Sequence, residues 1–197
     1  MLKRLFDLLL AGIGLLCLLP LFVLVALWIK YDSSGPVFFR QERVGRFGQL
    51  FRIHKFRTMR VDAERSGLQI TVGQDNRITR SGQFLRHYKL DELPQLIDVL
   101  AGTMSLVGPR PEVPRYVALY PEDIKRQVLS VRPGITDLAS IEYRHENALL
   151  GASANPEKTY IEEVMPAKLA LNCQYVARQS LGLDIVLIFK TVLAILR

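Results

Sequence analysis

Cysteine is scarce in this chain. The 197 residues hold two, Cys17 and Cys173, and neither belongs to a CxxC or Cys/His cluster. A disulfide framework is excluded, and zinc-ligand spacing is missing. The three histidines, His54, His87 and His145, are scattered. A reduced, cytosol-facing compartment fits. No internal repeat, low-complexity tract or helix-turn-helix pattern is found, so no nucleic-acid partner is expected. Acids are also few: 19 Asp and Glu against 26 Lys and Arg give a formal charge of +7. Acidic lipid headgroups or a nucleotide would answer that charge.

The positive charge is concentrated. Arg40, Arg43, Arg46, Arg52, Lys55, Arg57 and Arg60 fall within about twenty residues, and Glu42 is the one acid among them. Such a run is a solvated, membrane-facing surface unless some members are turned inward.

Apolar residues make up 49% of the chain and collect at its two ends. Leu5 to Ile29 carries one charge, Asp7. As a helix it would extend roughly 37 Å, enough to cross a hydrocarbon core of about 30 Å. Lys3 and Arg4 precede it and Lys30 follows. No small-x-small cleavage site occurs before Lys30, which argues against a signal peptide. Positive charge on both flanks selects no orientation for a spanning helix and suits two ends on the cytoplasmic side. Pro20 breaks the middle, where an unbent helix would lose roughly 3 kcal/mol. A re-entrant helix is therefore expected, with a simple span as the rival.

The remainder reads as an α-rich α+β domain at the membrane interface, with amphipathic helices and a few short strands. Residues 1–34 form the membrane helix and turn, and 35–197 the interfacial domain. Asp32-Ser33-Ser34-Gly35-Pro36 is a stop. Val37–Phe39 and Leu50–Ile53 read as strands around a Gly45–Gly48 turn. Residues 62–83 read as a surface loop. Phe84 to Leu100 has a helical period, with Pro94 fitting the first turn of a helix that begins near Glu92. Asn155-Pro156-Glu157 is another helix start. Leu181–Leu196 is short for a span and suits the core or the interface.

Two acids, Asp91 and Glu92, stand at the expected helix start. The dipole and free N–H groups there favour anions and would keep Asp91 ionised, fit to attack phosphorus. Glu92, pointing elsewhere, could hold Mg²⁺. Ordinary helix capping is the plainer reading of the pair. Gly108-Pro109-Arg110-Pro111 adds an arginine in a rigid turn, suited to grip phosphate bidentately. Val131-Arg132-Pro133-Gly134 repeats that arrangement. Lys55 and Arg57 have lipid-headgroup contact as their alternative role.

These pieces resemble the small monotopic phosphoglycosyl transferases of the bacterial sugar transferase family. The likeness is carried by Lys3-Arg4 with Asp7, by Pro20, and by Gly35-Pro36-Val37-Phe38-Phe39-Arg40-Gln41. It continues through Lys55-Phe56-Arg57-Thr58-Met59, Leu90-Asp91-Glu92-Leu93-Pro94-Gln95, Met104 to Pro111 and Arg132-Pro133-Gly134-Ile135-Thr136. The resemblance implies a re-entrant helix and a domain half-sunk in the cytoplasmic face of the inner membrane, among its lipids. It implies transfer of a phosphosugar, N-acetylated or amino, from a UDP-sugar to polyprenyl phosphate, with Mg²⁺ and release of UMP. Asp91 would form a phosphosugar-aspartate and Glu92 would help bind the metal. Lys55, Arg57, Arg86, Arg110 and Arg132 would contact phosphate or nucleotide. A homodimer is compatible. Asp137, where many members have Gly, and Ser140 to Asn147 depart from the family pattern; Asn172 stands where some carry an acid. Direct attack by lipid phosphate and a non-catalytic membrane-tethered module for anionic lipid or nucleotide are the competing readings.

Overall fold

The computed structural model describes residues 1–61, 63 and 75–196. Helix dominates, as expected. Helix α1 runs Leu2–Asp32, about 46 Å, and continues through Pro20, so the break expected at that proline is not formed. It is the one described helix long and apolar enough to cross a membrane. One stripe faces the rest of the chain: Asp7, Ala11, Val25 and Ile29 are buried, and Leu15, Leu18, Leu21 and Phe22 pack beside them. Those positions recur every three or four residues, so they share a face. The other faces expose Leu5, Leu9, Ile13, Leu16, Leu24 and Leu27, an apolar surface that bilayer would cover.

Both ends of α1 are fastened to the domain. Lys3 Nζ donates to the Val107 carbonyl at 3.1 Å and pairs with Asp184 at 2.5 Å. The Asp7 carboxylate accepts from Ser105 Oγ at 2.8 Å. At the far end, Asp32 accepts from the Ser81 amide and hydroxyl at 2.8 and 2.7 Å.

The Ser33–Pro36 turn leads into a hairpin of β1 (Phe38–Val44) and β2 (Leu50–Phe56). The strands are antiparallel, with Phe38 opposite Phe56 and Val44 opposite Leu50. They are longer than the sequence pattern alone marks. Helix α2 (Arg80–His87) starts inside the stretch read as a loop, on a cap in which Thr79 accepts from the Gly82 amide. Most of that expected loop lies outside the described residues.

The helical period from Phe84 to Leu100 is not one helix. Lys89 takes a left-handed φ of 54°, a tight turn follows over Leu90–Glu92, and α3 covers Gln95–Ala101 with Pro94 at its cap. The apolar spacing survives the break because both pieces pack inward, Leu85 against α1 residues and Leu96 and Val99 in the next cluster.

Beyond α3 come β3 (Ser105–Val107), α4 (Pro114–Val117), α5 (Glu122–Val128) and β4 (Gly134–Thr136). Strands β3 and β4 are parallel. They bring the two proline–arginine turns together: Gly134 N donates to the Pro109 carbonyl and Gly108 N to that of Thr136, each at 3.0 Å. The approach leaves no room for a side chain at either glycine. A Cβ on Gly108 would lie 2.5 Å from the Arg132 carbonyl oxygen.

Short helices α6 (Leu138–Glu142), α7 (Glu146–Gly151) and α8 (Pro156–Thr159) follow. Asn155 caps α8 with Pro156 in its first turn, as its sequence predicts. A π-helical turn over Tyr160–Val164 joins α8 to α9 (Met165–Arg178), and α10 covers Leu181–Leu196. Helix α10 buries Asp184 and Leu187 yet exposes Ile185, Val186, Phe189, Val192 and Leu193. It thus fills both roles left open for it, one face in the core and an apolar face outward.

Candidate active site

The hairpin, the turn after Lys89 and the Gly108–Pro111 turn converge on the two acids. Glu92 is the hub. Arg110 straddles its carboxylate, with Nη1 on Oε2 at 2.8 Å and Nη2 on Oε1. Lys55 Nζ reaches Oε1 at 3.0 Å from β2. Arg110 is itself held by its backbone, whose N–H donates to Asp137 at 3.0 Å. Asp137 also caps α6 through the Ser140 amide at 2.6 Å and is fully buried. The residue that departs from the family pattern is therefore a fixed support of the arginine turn.

Asp91 differs from its neighbour. It is 7% exposed, and its Oδ1 is buried with no hydrogen-bond partner among the described residues. A bare buried carboxylate oxygen is costly, which marks a place where a ligand is expected. Burial, then repulsion from Glu92, push the Asp91 carboxyl above its ordinary range, while Lys55, Arg86 and Lys89 oppose the rise. The expected helix dipole is not what governs it: Asp91 lies in the turn ahead of α3, and burial with Glu92 outweighs the surrounding cations. Burial also acts to raise Glu92, but Arg110 and Lys55 together overcome it and hold that carboxyl well below the usual range. Glu92 in turn keeps the Arg110 guanidinium charged, and burial lowers the Lys55 ammonium. Two adjacent acids are thus driven apart, one toward a basic carboxylate and one toward a permanent anion.

Arg86 joins the group from α2, with Nε on Thr58 Oγ1 at 2.9 Å, and the Asp91 charge acts to keep its guanidinium protonated against burial. The structure therefore brings Lys55, Arg86, Asp91, Glu92 and Arg110 together. Arg57 and Arg132 stand apart from the acids. Arg57 is buried and donates to the Ser33 carbonyl at 2.8 Å and to that of Ser34, closing the end of α1. Arg132 Nε donates to the Gly102 carbonyl at 2.8 Å, near Arg4. Both are used as backbone staples, each donating to main-chain carbonyls. Lys3 and Arg4 likewise serve the fold: Arg4 reaches the Leu100 and Met104 carbonyls at 3.4 and 3.5 Å.

A metal ion would find two hard carboxylates here. Among the described residues Asp91 Oδ1 has no partner, and Glu92 Oε2 accepts from Arg110 alone. Among the described residues no group of three or more His, Cys, Asp and Glu side chains is placed to hold a metal. Mg²⁺ takes one or two carboxylates and completes its shell with phosphate oxygens and water; Glu92 is already neutralised by Arg110 and Lys55, which leaves Asp91 Oδ1 as the unengaged carboxylate oxygen of the pair.

The acids open into a cleft of about 2100 Å³. Its wall includes a cluster that sequence reading missed. Arg43 Nη1 pairs with Glu112 at 3.1 Å, Glu112 accepts from the Tyr160 hydroxyl, and Lys168 pairs with Glu146 at 2.7 Å. These partners lie far apart in the chain, and no local spacing announces them. Missed too was Asp98, buried, which accepts from the His54 amide at 2.8 Å and faces His54 Nδ1 at 2.7 Å.

The bacterial sugar transferase family matches residues 1–197. A UDP-N-acetylgalactosamine-undecaprenyl-phosphate N-acetylgalactosaminephosphotransferase of Aeromonas hydrophila is 38% identical over 98% of this chain and 43% of its own length. A UDP-glucose:undecaprenyl-phosphate glucose-1-phosphate transferase of Xanthomonas campestris is 41% identical over 98% and 38%. This chain therefore spans about two fifths of those two proteins. An exopolysaccharide production protein of Rhizobium leguminosarum is 40% identical over 98% of this chain and 94% of its own. Matched from end to end, the chain belongs to the bacterial sugar transferase family.

Proposed function

We propose that the chain transfers a phosphosugar from a UDP-sugar to polyprenyl phosphate, yielding polyprenyl-diphosphate-sugar and UMP. The observation that carries the reading is Asp91 Oδ1, buried and unpartnered beside a carboxylate clamped by Arg110 and Lys55. A module for anionic lipid or nucleotide gives no reason to place a bare carboxylate oxygen there, since it repels the anion.

In the first step an Asp91 oxygen attacks the β-phosphorus of the UDP-sugar. The bond from that phosphorus to the bridging oxygen breaks, and UMP leaves with the bond's electrons. The sugar phosphate is then an acyl phosphate on Asp91. In the second step a phosphate oxygen of the lipid attacks the same phosphorus and Asp91 leaves as carboxylate. Arg110, Arg86 and Lys55 set a cationic wall that orients the diphosphate and opposes its charge. Glu92 holds Arg110 and Lys55 in position. Mg²⁺, held by Glu92 with Asp91 beside it, would neutralise charge on the diphosphate.

The location we propose is the cytoplasmic face of a bacterial inner membrane, with α1 re-entrant. Support comes from the fastening of both α1 ends to one domain, Lys3 to Asp184 and Asp32 to Ser81. A span would have to leave one of those ends on the opposite side of the bilayer. The donor class we propose is an N-acetylated or amino sugar, with glucose as competitor. Steady-state assays with UDP-sugars, Mg²⁺ and polyprenyl phosphate test the reaction. UMP should appear, up to one per chain without lipid acceptor and continuously with it. Release that needs the lipid from the first turnover would favour direct attack instead.

A further inference from the structure

The second step needs a lipid whose phosphate reaches Asp91 while its prenyl chain stays out of water. A cleft that serves it must open sideways into hydrocarbon, and one flank of this cleft does so. Among the described residues, every cleft-lining side chain that α1, α3, β3, β4 and α10 contribute is uncharged. The charged lining comes from other parts of the chain.

Leu96 of α3, Leu106 of β3 and Ile135 of β4 form the floor of this flank. Leu106 packs into two apolar clusters, one holding Ala11 of α1 and the other Leu187 of α10. The floor therefore bridges the two long apolar helices. Leu10 lines it from α1. From α10 come Ile188, Thr191, Val192 and Ile195, the i, i+3, i+4, i+7 set of a single helix face.

The inner end lies at the arginine turn. The Thr136 carbonyl accepts from the Gly108 amide at 3.0 Å, two residues before Arg110, and the Thr136 hydroxyl meets that of Thr191 at 2.6 Å. Thr191 Oγ1 also donates to the Leu187 carbonyl at 2.8 Å. This hydroxyl pair is thus satisfied within the protein and presents no unmet donor to a hydrocarbon chain. The outer end lies at Leu10 and Val192, 40% and 50% exposed, beside the outward apolar residues Leu9, Ile13, Phe189 and Leu193. From Ile188 to Ile195 the helix rises roughly 10 Å, room for the first isoprene units of a chain whose remainder stays in the bilayer.

We infer that this lane between α1 and α10 is the subsite for the prenyl chain of the acceptor, entered from the bilayer at Leu10 and Val192 and ending at the reacting acids. The inference rests on the phosphosugar-transfer reading and deepens it. Continuity with Asp91 selects the occupant: a bulk phospholipid gains nothing by reaching the acids, whereas a lipid whose phosphate reacts must reach them.

The test uses the full chain in bilayers of phosphatidylethanolamine and phosphatidylglycerol, with Mg²⁺, polyprenyl phosphate and the UDP-sugar that wild type turns over. Val192→Trp plugs the lane with an apolar ring. Leu193→Trp puts the same ring on the outer face, at a residue outside the cleft lining. Val192→Trp should lower kcat/KM for polyprenyl phosphate about tenfold or more, the loss of roughly two buried methylenes. Its kcat/KM for the UDP-sugar should hold, and Leu193→Trp should match wild type for both substrates. Equal loss in the two variants, equal loss for the two substrates, or no loss overturns the lane. A second measurement needs no variant. Polyprenyl phosphate with a diazirine in its first isoprene units should label Ile188, Val192 or Ile195 of the wild type, and unlabelled polyprenyl phosphate should suppress the label where added phosphatidylglycerol does not. Label centred on Phe189 and Leu193, or suppressed equally by phosphatidylglycerol, contradicts the inference. Wild type that turns over no UDP-sugar refutes the reaction and the lane's part in it; wild type that turns over and is matched by Val192→Trp refutes the lane alone.

Discussion

Glu92→Gln should weaken the fold by an amount the site geometry sets. Glu92 accepts two bonds from Arg110 and one from Lys55. Its side chain is 12% exposed and that of Lys55 17%, whereas Arg110 keeps 32% in contact with solvent. Breaking a fully buried pair costs about 3–5 kcal/mol. Gln keeps one acceptor, and Arg110 regains part of its hydration, so about 2–3 kcal/mol is the expected loss. For a chain of this size that lowers Tm by roughly 4–12 °C. The pH dependence has a definite sign. The Glu92 carboxyl is held well below its ordinary value in the fold. Its contribution is therefore complete above the unfolded value, about 4.3, and is lost as pH falls through the depressed one. Thermal melts of both proteins should differ most near neutral pH and converge under strong acid. A neutral-pH gap of about 1 °C or less, or one that persists undiminished in acid, would refute the clamp as the source of the stability.

Asp91→Asn removes the nucleophile and also a charge that burial opposes. An acid whose pKa is raised by folding destabilises the fold where it is ionised, so the variant should lose UMP release and melt at or above the wild-type temperature. For the same reason wild-type kcat/KM should fall on the acid side at a pH above the ordinary aspartate value of about 3.9. Among the described residues, Lys3→Met leaves the carboxylate of the fully buried Asp184 with only the Tyr175 hydroxyl; a loss of about 2–4 kcal/mol in thermal unfolding and faster proteolysis near Met1 are expected. Asp137→Gly deletes the α6 cap and strands the Arg110 N–H. About 2–3 kcal/mol should go, with lowered kcat because the arginine turn is freed.

Local chemistry was legible and distant pairing was not. Asn155-Pro156 announces a cap, and the Ser33–Pro36 cluster announces the end of α1. Each depends on contacts a few residues away. The break at Lys89 could not be read, because a left-handed lysine is chosen by tertiary packing and the apolar period runs on across it. Lys55 and Arg57 look alike in the sequence, yet β2 ends at Phe56 and Arg57 turns to α1. Arg110 and Arg132 share a proline-fixed setting, and the parallel pairing of β3 with β4 then sends them to different partners. The Arg43–Glu112–Tyr160 cluster joins residues dozens of positions apart, which one sequence does not reveal.

The most direct measurement is the mass of the peptide beginning at Leu90 after the wild-type chain meets a UDP-sugar and Mg²⁺ without lipid. The two-step account predicts that this peptide gains the mass of one phosphosugar on Asp91, and that polyprenyl phosphate then removes it. An unmodified peptide, from protein that still turns over when lipid is supplied, would contradict it.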